Sequence, residues 1–241
     1  MKNNIFEVIQ SHSNPKKARD LQRFFKTGKG EYGEGDIFIG IVVPVLRKIA
    51  KQFSSITLND VLKLLTSKVH EHRLIALFIL VDQYKKGGGD IKKQIFELYM
   101  NHTKYINNWD LIDLSSPHIV GDYLLDKDYT TLTAFAHSSS IWEKRIAMLA
   151  TFVDIKNGRY ERALDIAKIL VSDSHDLIHK AVGWMLREMG KRGGLKEEEE
   201  FLRKYGKTMP RTMLRYAIER FPEEKRRKYL KGETTSFTSF S

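Results

Sequence analysis

Apolar residues recur at three- and four-residue spacing along almost the whole chain, and strict alternation is rare. That period belongs to helices buried along one face, so the pattern predicts an all-α protein. Ile5, Val8 and Ile9 open a first helix; Ala18, Leu21, Phe24 and Phe25 mark a second. Residues 28–36, rich in glycine, are the least helical stretch. Pro44 follows, and its fixed φ and missing N–H suit the first turn of a helix expected to run through Arg47 to Phe53.

From residue 58 the pattern repeats. A polar turn is followed by a longer helix that opens on charged residues, at His70-Glu71-His72-Arg73, at Trp142-Glu143-Lys144-Arg145 and at Asp176-Leu177-Ile178-His179-Lys180. Trp109-Asp110-Leu111-Ile112 fits the same slot. Arg73 to Ile112 is 39 positions, Ile112 to Arg145 is 33, and Arg145 to His179 is 34. A weaker fifth unit runs from Phe201 through Met209-Pro210-Arg211 to Phe221. Two-helix units of this period cannot bury their apolar faces alone and must stack. The expected architecture is therefore a curved α-solenoid of HEAT-like repeats. We expect one domain over residues 1–230 and a disordered Ser/Thr-rich tail over 231–241.

Charge narrows the partner. Lys plus Arg is 41 against 30 for Asp plus Glu, a formal net charge of +11 spread along the chain. A folded basic surface of that kind favours a polyanion, nucleic acid first. The absence of cysteine excludes disulfides and thiolate metal sites. His70 and His72 diverge on a helix, and His175 with His179 lacks a well-placed third ligand, so no metal and no cofactor is expected. The longest apolar run, residues 74–81, is far below the roughly 18 needed to span a membrane. The first residues carry Glu7 and no continuous apolar core, unlike a signal peptide. The expectation is a soluble, monomeric cytoplasmic protein with no membrane partner. The 28–36 stretch is no phosphate loop: it carries Glu31, Glu34 and Asp36 and lacks the Gly-Lys-Ser/Thr ending.

Stacked repeats place equal slots on one side of the curve. Trp109, Trp142, Arg145, Lys180, Trp184 and Arg187 are thus expected at similar height, among helix N-termini whose free N–H groups can receive phosphate. Such a groove reads as a cradle for duplex nucleic acid. Trp109 and Trp184 are assigned to the groove, whereas Trp142 serves equally well as core. Asp113 lies four residues after Trp109, on the same helical face. A lone Asp near a helix start is ordinarily a cap or dipole partner. In a basic groove, however, a carboxylate repels phosphate, and a surface that only grips DNA has no use for it.

Trp109-Asp110-Leu111-Ile112-Asp113, Ile141-Trp142-Glu143-Lys144-Arg145-Ile146-Ala147 and Lys180-Ala181-Val182-Gly183-Trp184-Met185-Leu186-Arg187-Glu188 together resemble the AlkD-like family of DNA alkylation-repair glycosylases. Phe38-x-Gly40-x-x-x-Pro44-x-x-Arg47 resembles the family's N-terminal motif, and the matches run in order over roughly residues 5 to 220. The resemblance implies a HEAT-like solenoid that excises cationic N3- and N7-alkylpurines from duplex DNA without drawing the base into a pocket. It implies that Asp113 is the catalytic carboxylate, that Trp109 and Trp184 lie beside the lesion's deoxyribose, and that Arg145 contacts DNA. Lys180, Arg187, Arg73 and Arg47 complete the expected DNA contacts. No Lys stands in the Asp113 slot to form a Schiff base, so the expected enzyme is monofunctional. The alternatives are a non-catalytic HEAT-repeat protein that binds damaged or branched DNA, and a protein-binding scaffold. The acidic, glycine-rich 30–36 segment differs from the shorter N-terminal form in some members of that family.

Overall fold

Residues 4–233 are described by the computed structural model, and the chain falls into two compact units, Met1–Tyr123 and Leu124–Ser241. Among the described residues all regular structure is helical apart from one isolated parallel bridge between Ile37 and Val69. The first unit holds α1 (Ile5–Ser11), α2 (Pro15–Phe24), α3 (Val43–Gln52), α4 (Leu58–Leu65), α5 (His70–Lys86), α6 (Gly89–Asn101) and α7 (Trp109–Asp113). A π-helical turn, Pro117–Gly121, and the single turn α8 (Asp122–Leu124) follow. The second unit holds α9 (Thr130–Ala136), α10 (Ile141–Ala150), α11 (Phe152–Lys156), α12 (Glu161–Leu170), α13 (Asp176–Lys191), α14 (Leu195–Tyr205), α15 (Arg211–Ala217) and α16 (Glu223–Lys231). The fold class is the all-helical one expected of a stacked-repeat protein.

The boundaries have local causes. Asn4, Asn14, Thr57, Asn108 and Ser140 each accept a first-turn N–H of the helix they precede, the usual role of a short polar cap. Pro15 and Pro44 occupy first-turn positions where a missing N–H costs nothing. The predicted repeat slots are helix starts, at His70, Trp109, Ile141 and Asp176, in steps of 39, 32 and 35. Arg211 begins α15 another 35 residues on. Of the expected tail, Lys231 closes α16, Gly232 caps it in the left-handed conformation, and 234–241 lie outside the described residues.

In the first unit α5 is the core helix. Residues 74–80 are buried on every side, with α3, α4, α6 and α7 packed against it. The chain from α2 to α3 then runs back along the start of α5. The Ile37 carbonyl accepts the His70 N–H at 2.8 Å, and the Glu71 carboxylate accepts the N–H groups of Ile39, Gly40 and Ile41 at 2.7–3.2 Å. Gly40 takes φ +87°, and a Cβ there would lie 2.1 Å from the Asn14 carbonyl, so only glycine fits. In the second unit α13 is central, packed by α10, α12, α14 and α15. Gly183 lets α15 approach, because a Cβ would stand 2.4 Å from the Met213 carbonyl.

Candidate nucleic-acid site

The short helix α7 carries both residues around which the site is built. Asn108, fully buried, turns its side-chain oxygen onto the Trp109 N–H at 2.8 Å and so fixes the start of the helix. Five helical residues then put Trp109 and Asp113 on one face, both half-buried. The Trp109 indole stacks on Phe25 at 5.2 Å between ring centres and meets the edge of Phe24 at 6.0 Å. Its Nε1–H donates to the Tyr32 hydroxyl at 3.3 Å. Phe24 is 63% exposed, so the aromatic cluster reaches solvent at the end of α2. Asp113 lies close enough to the buried Tyr99 phenol for its charge to add to the effect of burial, which raises that phenol's pKa.

Beneath this surface lies a buried charged quartet. His70 Nε2 is 2.9 Å from Asp110 Oδ2 and its Nδ1 is 3.3 Å from Asp36 Oδ2. Arg73 Nη2 is 2.8 Å from Asp36 Oδ1, and the Asn107 amide donates to that same oxygen at 3.2 Å. Burial alone would push the His70 imidazole down; the Asp110 charge and hydrogen bond, with the Asp36 hydrogen bond, outweigh it and hold it above its ordinary value. Burial likewise raises Asp36, but the His70 hydrogen bond and the Arg73 charge leave its carboxyl below the usual carboxylate range.

These placements change the meaning of the acidic glycine-rich segment. Asp36 does not face outward to repel phosphate; it is buried as the counter-ion of His70 and Arg73. The Glu31 and Glu34 carboxylates turn back onto the Gly28 and Gly30 N–H groups at 2.9 and 2.7 Å.

In the second unit α10 and α13 pack side by side. His175 caps α13 through its Nδ1, which accepts the Leu177 N–H at 3.1 Å, and His179 Nε2 bonds the Asp173 carbonyl at 2.6 Å. Trp142, Lys180, Trp184 and Arg187 are half-buried; Lys180 pairs with Asp176 at 2.7 Å and Arg187 with Glu219. Lys144 is held by Asp173 at 2.7 Å. Among the described residues no three His, Cys, Asp or Glu side chains converge as a metal set would require, and no helix is long and apolar enough to cross a membrane.

A family model described as DNA alkylation repair enzyme matches residues 5–221. The chain belongs to that family. A solved structure described as a predicted DNA alkylation repair enzyme from Enterococcus faecalis is similar to it, with a TM-score of 0.69 and 15% identity over 88% of this chain and 98% of that one. That likeness speaks for the fold. No curated protein matches the chain in sequence.

Within this DNA alkylation repair family member, two of the arginines expected at the DNA surface are enclosed. Arg145 is 5% exposed and donates to the Leu177 carbonyl at 2.6 Å, tying α10 to the first turn of α13. Arg73 is 3% exposed and holds Asp36 and the Ser67 carbonyl, so it fixes the loop and offers no open face to a phosphate. Arg47 is exposed and stacks over the Phe78 ring at 4.3 Å, beside a groove of about 310 Å³ that Lys51, Lys85 and His118 also line. Sequence reasoning missed His70, Glu71, Asp110 and Asn108 as site supports. The sequence carried one hint: α5 is apolar all round over residues 74–81 and so is a buried helix, but which polar residues at its start are enclosed depends on what packs over them.

Proposed function

We propose that this DNA alkylation repair protein is a monofunctional DNA glycosylase that excises cationic N3- and N7-alkylpurines from duplex DNA. Asp113 is its catalytic carboxylate, and the lesion is hydrolysed without being drawn into a base pocket. The observation that carries the reading is the pairing of Asp113 with Trp109 on one face of α7, in a chain of net charge +11. A carboxylate there weakens the hold on phosphate, and its use lies in the chemistry.

Alkylation at N3 or N7 makes the purine a cation and hence a good leaving group that needs little acid catalysis. As the glycosidic bond breaks, positive charge moves from the base to the sugar, as in other glycoside hydrolyses. A carboxylate about 4 Å from that charge, at an effective dielectric near 20, attracts it by about 4 kcal/mol. The substrate is already cationic, so only the gain between ground and transition state accelerates the reaction. Half of it, about 2 kcal/mol, corresponds to roughly 30-fold in rate, and Asp113 therefore also orients the attacking water. The Trp109 face adds roughly 0.5–2 kcal/mol toward a cationic nucleotide. Trp184, Lys180, Arg187 and Arg47 are proposed as further DNA contacts. The pairs that hold Lys180 and Arg187 are partly exposed and worth about 0–1 kcal/mol each, so a phosphate can replace the carboxylate at little cost.

Release of 7-methylguanine or 3-methyladenine from methylated duplex tests the proposal. Asp113→Asn is expected to keep duplex binding and to lose at least about 30-fold in excision. Full excision by that variant would remove Asp113 from the chemistry. Tight, salt-sensitive binding with no base release by the native chain would instead favour a non-catalytic DNA-binding repeat protein.

A further inference from the structure

We infer that His70 is a positioning residue which, as a doubly protonated imidazolium, clasps the glycine-rich loop to the first turn of α7 and thereby sets the position of Trp109. The inference rests on the glycosylase reading only for its consequence in excision.

Hydrogen-bond chemistry points to the imidazolium. Both ring nitrogens of His70, 1% exposed, face carboxylate oxygens, Asp110 at 2.9 Å and Asp36 at 3.3 Å. An ionised carboxylate only accepts, and a neutral imidazole has one donor and one lone pair, so either neutral tautomer aims a lone pair at an anion. The charged groups facing the ring are Asp36 from the loop, Asp110 from α7 and Arg73 from α5; Phe38 stacks on it at 4.4 Å and Phe25 lies against it at 5.1 Å. With His70 charged the enclosed quartet sums to zero; without that proton it carries a net negative charge in the interior, an expensive state.

Two paths lead from that ring to Trp109. Through Asp110, the residue next to it, His70 holds the start of α7, where the Asp110 Oδ1 also accepts the Leu111 N–H at 2.9 Å. Through Asp36 it holds the loop whose Tyr32 hydroxyl receives the Trp109 indole N–H. Phe25 fills the space between, stacked on Trp109 and against His70. The folded-state pKa is raised, so the clasp is complete below the ordinary value of 6.5 and is lost as pH climbs through the elevated one.

The test uses the whole chain without DNA, with histidine rings and tryptophan indoles labelled with nitrogen-15 and the Trp109 signal assigned with Trp109→Phe. At pH about 6.5, where a free histidine is half-protonated, His70 is expected to carry protons on both nitrogens in most molecules. On raising the pH, the Trp109 indole N–H signal is expected to shift with the same midpoint as His70, and Asp36→Asn is expected to lower both midpoints together. A neutral His70 at that pH, or a Trp109 signal indifferent to its titration, would overturn the inference. On methylated duplex, excision is expected to step down through that midpoint by roughly 2- to 30-fold, the size of the Trp109 contribution, and His70→Gln is expected to abolish this alkaline step. An unchanged step in His70→Gln would also overturn it. Coupled titration with no base release at any pH would support the positioning role and refute the glycosylase reading instead.

Discussion

Removing the carboxylate of Glu71 is the sharpest perturbation of the N-terminal architecture. This side chain is 1% exposed and accepts the N–H groups of Ile39, Gly40 and Ile41, with Gly40 at 2.7 Å and the others at 3.1–3.2 Å. Among the described residues, the segment 37–41 is further held by the Ile37–Val69 bridge, by the Phe38 ring stacked on His70 and by the Asn14 N–H on the Ile39 carbonyl. In Glu71→Ala three enclosed donors lose their acceptor, at about 1–3 kcal/mol each if none is rehydrated. The segment lies near the surface and water will reach part of it, so about 3–5 kcal/mol is the expected loss, a large share of an ordinary folding free energy. Glu71→Gln keeps one acceptor oxygen, which can serve Gly40 and Ile41, and is expected to cost about 1–2 kcal/mol. Denaturant unfolding at constant m measures both losses, and amide exchange locates them at residues 39–41. A Glu71→Ala protein within about 1 kcal/mol of the native one, with residues 39–41 still protected, would refute the reasoning.

Three further outcomes follow from the same packing. Glu198 is 1% exposed, and burial first, with the neighbouring Glu199 charge, pushes its carboxyl up to about 8 against the opposing Lys225 and Arg187. A raised carboxyl binds its proton more tightly folded than unfolded, so stability falls as pH rises from about 4.5 to 8; Glu198→Gln is expected to stabilise by a few kcal/mol at pH about 8 and much less at pH about 5. Gly183→Ala would drive α13 from α15, since its Cβ meets a backbone carbonyl at 2.4 Å; thermal unfolding is expected to register about 1–3 kcal/mol lost. Lys180→Ala is expected to lower the slope of log binding constant against log salt by about one while leaving the relative affinity for methylated and plain duplex unchanged.

The difference between what could be read along the chain and what could not has one physical origin. Periodicity reports which face of a helix is apolar, and a polar turn followed by charged residues reports where it starts. The starts at His70, Trp109, Ile141 and Asp176, and the shared face of Trp109 and Asp113, were therefore legible from local chemistry. The motif glycines were legible as glycines but not as contacts: Gly40 faces Asn14 and Gly183 faces Met213, partners that no local window contains. The fate of polar residues was not legible either. Whether a charge at a helix start meets water or another element depends on what packs over it. Asp36 comes from a loop 34 positions before His70, and Asp110 lies 40 after it, so the tertiary structure alone turned an acidic loop into a counter-ion. Arg73 and Arg145, in matching repeat slots, followed the same rule. The periodic pattern marked them as polar, and the helices and loops packed around them closed both in, because a buried guanidinium is tolerated where a carboxylate or carbonyl meets it.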